Sequence, residues 1–164
     1  MTTPKSPAIN PKLDLLLERV VDVPRDLVWL AWTRPEHLKK WFTPAPWTTS
    51  ECEIDLRPGG IFRFVNRSPE GQETTYVGCY LEIVEKERLV WTMALGPGFR
   101  PTAATSEVPT FTAVISMQPH GTGTRYTAMA MHRDEEGCKK HDQMGFHDGW
   151  GAATDQLMAF AKTL

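Results

Sequence analysis

Two histidines, His132 and His147, are the residues whose type and position in this sequence could do chemistry. His147 precedes Trp150 by three residues in a segment with helical spacing, so both side chains are predicted to share the inward side of one helix. His132 ends a predicted strand and would be the second polar group. An inward imidazole could orient a ligand, act as a general base, or be a neutral core residue hydrogen-bonded to the protein.

Aromatic residues are the second feature, and several of them are predicted to surround an apolar pocket. Together with the two histidines they form the predicted ligand-binding set, which is Trp41, Phe64, Tyr76, Trp91, Phe111, Tyr126, His132, His147 and Trp150. The simpler interpretation is that each aromatic ring only fills the core.

Small residues next to these rings favour the pocket. Ala128 and Ala130 lie between Tyr126 and His132 on one row of a predicted strand, where larger side chains would fill the volume. Three glycines near the start of the last helix indicate close backbone approach or a pocket mouth, at Gly145, Gly149 and Gly151. The sequence does not decide which row of strand 124–132 faces inward, because the other row carries Met129 and Met131, which are also apolar.

The remaining motifs argue against a metal, a cofactor or a known catalytic set. The spacing of His132, Cys138, His141 and His147 matches no zinc pattern, and His141 is predicted to face away from His147, towards water. There is no GxSxG, no GxxxxGK[ST] and no GxGxxG that follows a strand. We therefore predict no catalytic residue, no metal and no cofactor.

The element that must position these residues is predicted to be one long helix from Glu135 to Leu164. Its small or apolar residues recur at intervals of three and four, at Trp150, Gly151, Thr154, Leu157, Met158, Ala161 and Leu164. The opposite stripe of His141, Asp148, Asp155 and Lys162 is predicted to face water. Such a helix needs a broad apolar partner, and Trp150 is predicted to be buried against it.

The residues before the helix predict that partner. A strand over 13–23 leads into two short helices, and six strands joined by short turns follow between 48 and 132, which indicates an antiparallel sheet. Gly78 predicts a bulge or close packing within its strand. The long segment Ala94–Pro109 is predicted to be a mobile rim over the pocket mouth. The order gives an α+β domain over 13–164, with a loose tail over 1–12.

Composition limits the partners and the compartment. The formal net charge is -2 and no cluster of Lys and Arg longer than a pair occurs, which argues against nucleic acid. Three cysteines cannot all pair, and the first ten residues contain no apolar core of a signal peptide. No apolar run reaches the ~20 residues of a membrane span. We therefore predict a soluble cytoplasmic protein, with a homodimer left open.

Five stretches in this order resemble the SRPBCC superfamily, also called START-like or birch-pollen-allergen-like. They are PRDLVWLAW with HLKKWF, DLRPGGIFRF, GCYLEIVEKERLVWT, GTGTRYTAM and HDGW. Within it, the chain resembles the family of the C-terminal domain of the activator of heat-shock protein 90 ATPase. The resemblance implies a helix-grip fold, in which a curved antiparallel sheet of six to seven strands wraps around the C-terminal helix.

The resemblance also implies a cavity between sheet and helix that takes a small apolar or amphipathic molecule. Relatives in the superfamily bind lipids or hormones, or cyclise polyketides, and no catalytic set is common to them. Binding of a hydrophobic small molecule is therefore the favoured function. The alternatives are an enzyme of the cyclase or hydratase type that uses His132 or His147, and a chaperone-linked protein-interaction module.

Overall fold

A seven-stranded antiparallel sheet is the main element of the computed structural model, which describes residues 8–103 and 109–164. The strands of the described part are β1 Asp14–Val21, β2 Thr48–Ile54, β3 Ile61–Arg67, β4 Glu73–Val84, β5 Arg88–Thr92, β6 Leu95–Gly96, β7 Arg100–Pro101, β8 Phe111–His120 and β9 Gly123–His132. The sheet has the order β1-β9-β8-β5-β4-β3-β2, and β6 and β7 form a separate short hairpin. The curved antiparallel sheet and the α+β class predicted from the sequence are confirmed.

The helices are α1 Arg25–Thr33, α2 Pro35–Leu38, α3 Glu135–Gln143 and α4 Phe146–Ala161. The two short helices between β1 and β2 agree with the prediction. The prediction of a single long C-terminal helix is wrong, because that segment is divided into α3 and α4 at Gly145, whose φ is 94°. That left-handed conformation is open to glycine at little steric cost, and it turns the chain between the two helices.

The start of α3 has a capping residue that explains its position. The side chain of Asp134 accepts a hydrogen bond of 2.8 Å from the backbone N–H of Gly137. Glu135 and Glu136 then place two carboxylates in the first turn, where the helix dipole favours negative charge. One face of α3 buries Cys138 and His141, so this short helix contributes to the interior in its own right.

The core lies between the concave face of the sheet and the helices. On β9 the inward row is Tyr126, Ala128 and Ala130, which belong to the same buried cluster as Leu157 of α4. The sequence did not decide which row of this strand faces inward, and the structure shows that it is the row of Tyr126, Ala128 and Ala130. Along α4 the apolar stripe is buried as expected from Gly151 to Ala161, whereas Leu164 is 42% exposed after the helix has ended.

None of the helices in residues 8–103 and 109–164 is long and apolar enough to cross a membrane. The three cysteines are free, with Cys79 and Cys138 buried and Cys52 half-buried.

Candidate functional site

A cavity of about 590 Å³ lies between the sheet, the Trp41–Pro44 segment and the start of α4. Its wall brings together seven residues of the predicted set, which are Trp41, Phe64, Tyr76, Trp91, Phe111, Tyr126 and Trp150. Thr102, Ala103 and Pro109 also line it, so both described ends of the long segment before β8 reach the wall. Its residues 104–108, part of the predicted mobile rim, lie outside the described residues.

Ring contacts hold the aromatic wall in place. Phe64 and Tyr76 lie opposite each other on β3 and β4 and stack with their centroids 5.1 Å apart. On the other side, Phe111 of β8 makes edge contacts with Trp91 and Trp150, at 5.7 and 5.6 Å. Such pairs add stability beyond the area they bury, so the wall is largely formed without a ligand.

Tyr126 forms the polar part of the cavity floor. Its hydroxyl accepts a hydrogen bond of 3.2 Å from the indole N–H of Trp32. Complete burial raises the pKa of Tyr126, so its hydroxyl is protonated at neutral pH. The floor is therefore an uncharged hydrogen-bonded group beneath an apolar chamber.

His132 is not part of the cavity wall. It is 6% exposed, and its Nδ1 lies 2.8 Å from the backbone carbonyl oxygen of Leu13 on the neighbouring chain segment. Its Nε2 lies 2.8 Å from Nδ1 of His141. Both ring nitrogens are thus used within the protein, which leaves His132 no free atom for a ligand.

His147 faces the opposite way from the prediction. Its side chain is 57% exposed on the outer surface of α4, and its Nε2 lies 3.9 Å from a carboxylate oxygen of Asp142. The inward placement is wrong because it relied on Trp150 being central to the buried face. Trp150 is only half-buried at the edge of that face, and a further rotation of about 60° around the helix carries His147 into water.

His141 is the polar residue that sequence reasoning missed. Extending the stripe of α4 backwards predicts that it faces water, but it is 8% exposed and lines the cavity from α3. Its ring lies 4.9 Å from that of Phe111 and 5.4 Å from that of Phe146. The signal available in the sequence is Gly145, which ends one helical register and begins another.

The electrostatics of His141 follow from this burial. Desolvation, together with the neighbouring His132, lowers the pKa of His141 to about 4, while Asp142 opposes the shift. The imidazole is therefore neutral at physiological pH, and it can accept or donate hydrogen bonds without bringing a charge into the cavity.

A family model described as activator of Hsp90 ATPase homolog 1-like protein matches residues 22–162. The chain belongs to this family. The family is part of the SRPBCC superfamily, so the resemblance found in the sequence is confirmed. No curated protein sequence matches the chain.

Solved structures show how far the likeness to other proteins extends. A crystal structure of a protein from Nitrosomonas europaea is 49% identical, with a TM-score of 0.89, over 94% of this chain and 97% of that chain. A protein from Mycobacterium smegmatis is 23% identical with a TM-score of 0.74, over 91% of this chain and 90% of that chain. A solution structure from Arthrobacter aurescens is 21% identical with a TM-score of 0.78, over 94% and 88%. At 23% and 21% identity, the last two show only that they share the fold of this chain.

The far side of the cavity from His141 carries uncharged polar groups. The hydroxyl of Thr43 donates to the side-chain carbonyl of Asn66 at 2.9 Å and lies 2.6 Å from the hydroxyl of Thr49. Asn66 is on β3, whereas Phe111, which packs on His141, is on β8. These strands are separated by β5 and β4, so β3 and β8 lie about 14 Å apart across the sheet.

No Asp, Glu, Lys or Arg is among the described residues that line this cavity. A second groove of about 630 Å³ lies between the two short helices α1 and α2 and the turn that joins β4 to β5, and differs in this respect. Its wall contains five charged side chains, which are Asp26, Arg34, Glu36, Glu85 and Lys86. The contrast makes the inner cavity the candidate site for an apolar molecule.

Proposed function

We propose that this protein binds an uncharged hydrophobic or amphipathic small molecule in the cavity between the sheet and α4. The observation that carries the proposal is a chamber of about 590 Å³ whose described wall is rich in aromatic rings, carries only uncharged polar groups and is free of charged side chains. Pockets of roughly 300–1,000 Å³ enclose ligands of drug-like size, and their walls are typically apolar with a few placed polar groups.

The polar groups of the wall support the same proposal. His141 lies at one side and Asn66 with Thr43 at the other, while aromatic rings occupy the space between them. A molecule with an apolar body would bury its surface against those rings, and polar ends would be matched at either side. Burying an unmatched polar group costs free energy, so the polar groups at these two sides would help to set the orientation of the ligand.

Binding explains the site better than catalysis does. The two histidines expected to act as a base are unsuitable, since His132 uses both nitrogens within the protein and His147 faces water. The remaining candidate, His141, has a pKa lowered to about 4, which is far below the operating pH at which a general base is effective. A chaperone-linked role would need a filled interior and an apolar outer surface, and the interior cavity argues against the first of these conditions.

Filling the cavity tests the proposal. Ala153 lines the cavity from α4, whereas its neighbour Ala152 is exposed on the outer face of the same helix. Ala153→Phe should occupy part of the chamber and Ala152→Phe should not. The two variants are matched, because each adds the same side chain to adjacent positions of one helix.

The measurement is the quenching of tryptophan fluorescence on titration with 2-naphthol, a small hydrophobic probe with one hydroxyl group. Trp32, Trp41, Trp91 and Trp150 all line the cavity, so occupancy should change the emission. Saturable quenching in the natural protein and in Ala152→Phe, with a loss of at least about tenfold in affinity in Ala153→Phe, is the expected result. Equal affinity in all three folded proteins would exclude the cavity as the binding site.

A further inference from the structure

We propose that His141 makes the cavity selective for uncharged hydrophobic molecules that present a hydroxyl group or another neutral hydrogen-bond donor to its Nε2 atom. The inference rests on the proposed function and adds the chemical class of the ligand. It follows from the hydrogen bonds that fix the protons on two histidine rings.

The first step concerns His132. The backbone carbonyl of Leu13 can only accept a hydrogen bond, so Nδ1 of His132, at 2.8 Å, must carry a proton and donate it. A neutral imidazole has one N–H, which makes Nε2 of His132 an acceptor. A protonated His132 would instead be a buried cation whose described hydrogen-bond partners include no carboxylate, and such a charge is costly.

The second step uses the proton position on His132 to find which nitrogen of His141 carries a proton. Nε2 of His132 is 2.8 Å from Nδ1 of His141, so Nδ1 of His141 must be the donor in this contact. In the neutral ring Nε2 of His141 is then unprotonated and keeps its lone pair. Within residues 8–103 and 109–164, the hydrogen bond of the His141 ring is made by Nδ1 and not by Nε2.

The third step concerns what surrounds the ring. His141 lines the cavity beside Phe111, Phe146 and Trp150, with ring centroids at 4.9, 5.4 and 6.0 Å. These contacts leave an acceptor in an apolar setting, where a hydrogen bond from a neutral donor is favourable. At Nε2 of His141, a molecule with only acceptor groups would place one lone pair against another.

The same wall disfavours anions. The described lining residues include no Lys or Arg to neutralise a carboxylate, and Nε2 of His141 has no proton to offer it. Transfer of an unpaired anion from water into an aromatic chamber costs more than the ring contacts return. Fatty-acid carboxylates and similar anions are therefore expected to bind poorly compared with alcohols, phenols or enols of the same size.

Three probes with the same naphthalene body test the selectivity at neutral pH. They are 2-naphthol, which donates a hydrogen bond, 2-methoxynaphthalene, which only accepts, and 2-naphthoate, which is an anion. Two variants accompany them. Asparagine places its amide nitrogen near the position of Nδ1, so His141→Asn keeps a donor for His132 but removes Nε2, and His147→Asn is the control on the outer surface.

We expect the ratio of the affinities for 2-naphthol and 2-methoxynaphthalene to change in one variant only. The affinity for 2-naphthol relative to 2-methoxynaphthalene should fall about threefold to tenfold in His141→Asn and stay unchanged in His147→Asn. In the natural protein 2-naphthoate should bind at least about tenfold more weakly than 2-naphthol. If 2-naphthol and 2-methoxynaphthalene keep the same ratio in both variants, the selectivity is overturned while cavity binding stands. Binding of none of the probes would overturn the proposed function, and the selectivity with it.

A second measurement needs no ligand. Nitrogen-15 spectra of the imidazole rings distinguish which nitrogen carries the proton, and His141 is expected to be protonated at Nδ1 at neutral pH. A ring protonated at Nε2 would overturn the inference whatever the binding data show.

Discussion

Nε2 of His132 and Nδ1 of His141 lie 2.8 Å apart, and this contact joins the end of strand β9 to helix α3. The pair is anchored on its far side by the carbonyl of Leu13 at the start of β1. Three separate chain segments thus meet through two imidazole rings. One ring is buried behind the cavity and the other forms part of its wall, so fold and site are connected at this point.

The pH dependence of stability should report this pair. In the unfolded chain His141 takes up a proton near the ordinary histidine pKa of 6.5, whereas in the folded protein its pKa is about 4. Between these values the unfolded state binds more protons, so the free energy of unfolding falls as pH decreases from about 6.5 to about 4. Below about 4 and above about 6.5 this residue contributes no further pH dependence.

Urea denaturation at a series of pH values measures the effect, with His141→Asn as the comparison. After allowance for screening by solvent, the loss attributable to His141 should be of the order of 2 kcal/mol. His132 and Asp142 are the titratable groups that act on the ring, and both are retained in the variant. Identical pH profiles for the two proteins would mean that His141 titrates normally in the folded state.

Two glycines at the start of α4 should respond to alanine in opposite directions. Gly145 has a φ of 94°, so Gly145→Ala should lower the free energy of unfolding by about 1–2 kcal/mol even though its Cβ would meet nothing within 4 Å. Gly149 is helical and equally open, so Gly149→Ala should raise it by about 0.5–1 kcal/mol. Chemical denaturation of both variants checks this, and a stabilising Gly145→Ala would argue against the break between α3 and α4.

Truncation of Trp150 should lower the free energy of unfolding less than truncation of a core residue does, because the Trp150 ring is half-buried in the cavity wall. Trp150→Ala is expected to destabilise by about 1–2 kcal/mol and to weaken 2-naphthol binding. Leu157 of the same helix is completely buried, and Leu157→Ala should cost about 2–4 kcal/mol. Thermal or chemical denaturation provides the comparison. A larger loss for Trp150 than for Leu157 would mean that the ring is part of the packed core.

Gln156 should hold in place the Trp41–Pro44 segment, which forms part of the cavity wall. Its side-chain N–H groups donate to the carbonyl oxygens of Trp41 and Thr43 at 2.8 and 2.9 Å, and its side-chain oxygen accepts from the N–H of Ala45. Gln156→Glu keeps the shape but places carboxylate oxygens against two carbonyls. We expect a loss of about 1–3 kcal/mol in unfolding free energy and a similar loss in probe affinity. Unchanged probe affinity in the folded variant would mean that this segment does not contribute to probe binding.

The sequence predicted the fold well where local patterns match the final packing. Gly78 illustrates this, since a Cβ there would lie 2.3 Å from the carbonyl oxygen of Thr92, and the register of β4 and β5 shifts close by. The aromatic wall was also foreseeable, because large rings beside small residues have few ways to pack. Their contact with a ligand stays a prediction.

The polar end of the cavity was not foreseeable from periodicity alone. A change of helical register at Gly145 reverses which residues of α3 face inward, so periodicity extended across that break placed His141 in water. His147 lies within α4 and was misplaced for a different reason, because Trp150 is at the edge of the buried face and not at its centre. The contact between His141 and His132 also depends on tertiary structure, since α3 must fold back on the end of β9 before the two rings can meet.

The central claim, that the inner cavity is the binding site, is tested most directly by the indole N–H signals of the six tryptophans during a titration with 2-naphthol. Four of these residues, Trp32, Trp41, Trp91 and Trp150, line the inner cavity. Trp29 lines the second groove, and Trp47 is 45% exposed on the surface. Shifts that saturate together for the four cavity signals, with Trp29 and Trp47 unchanged, are the expected result. Shifts of Trp29 or Trp47 without those of the cavity signals would contradict the claim.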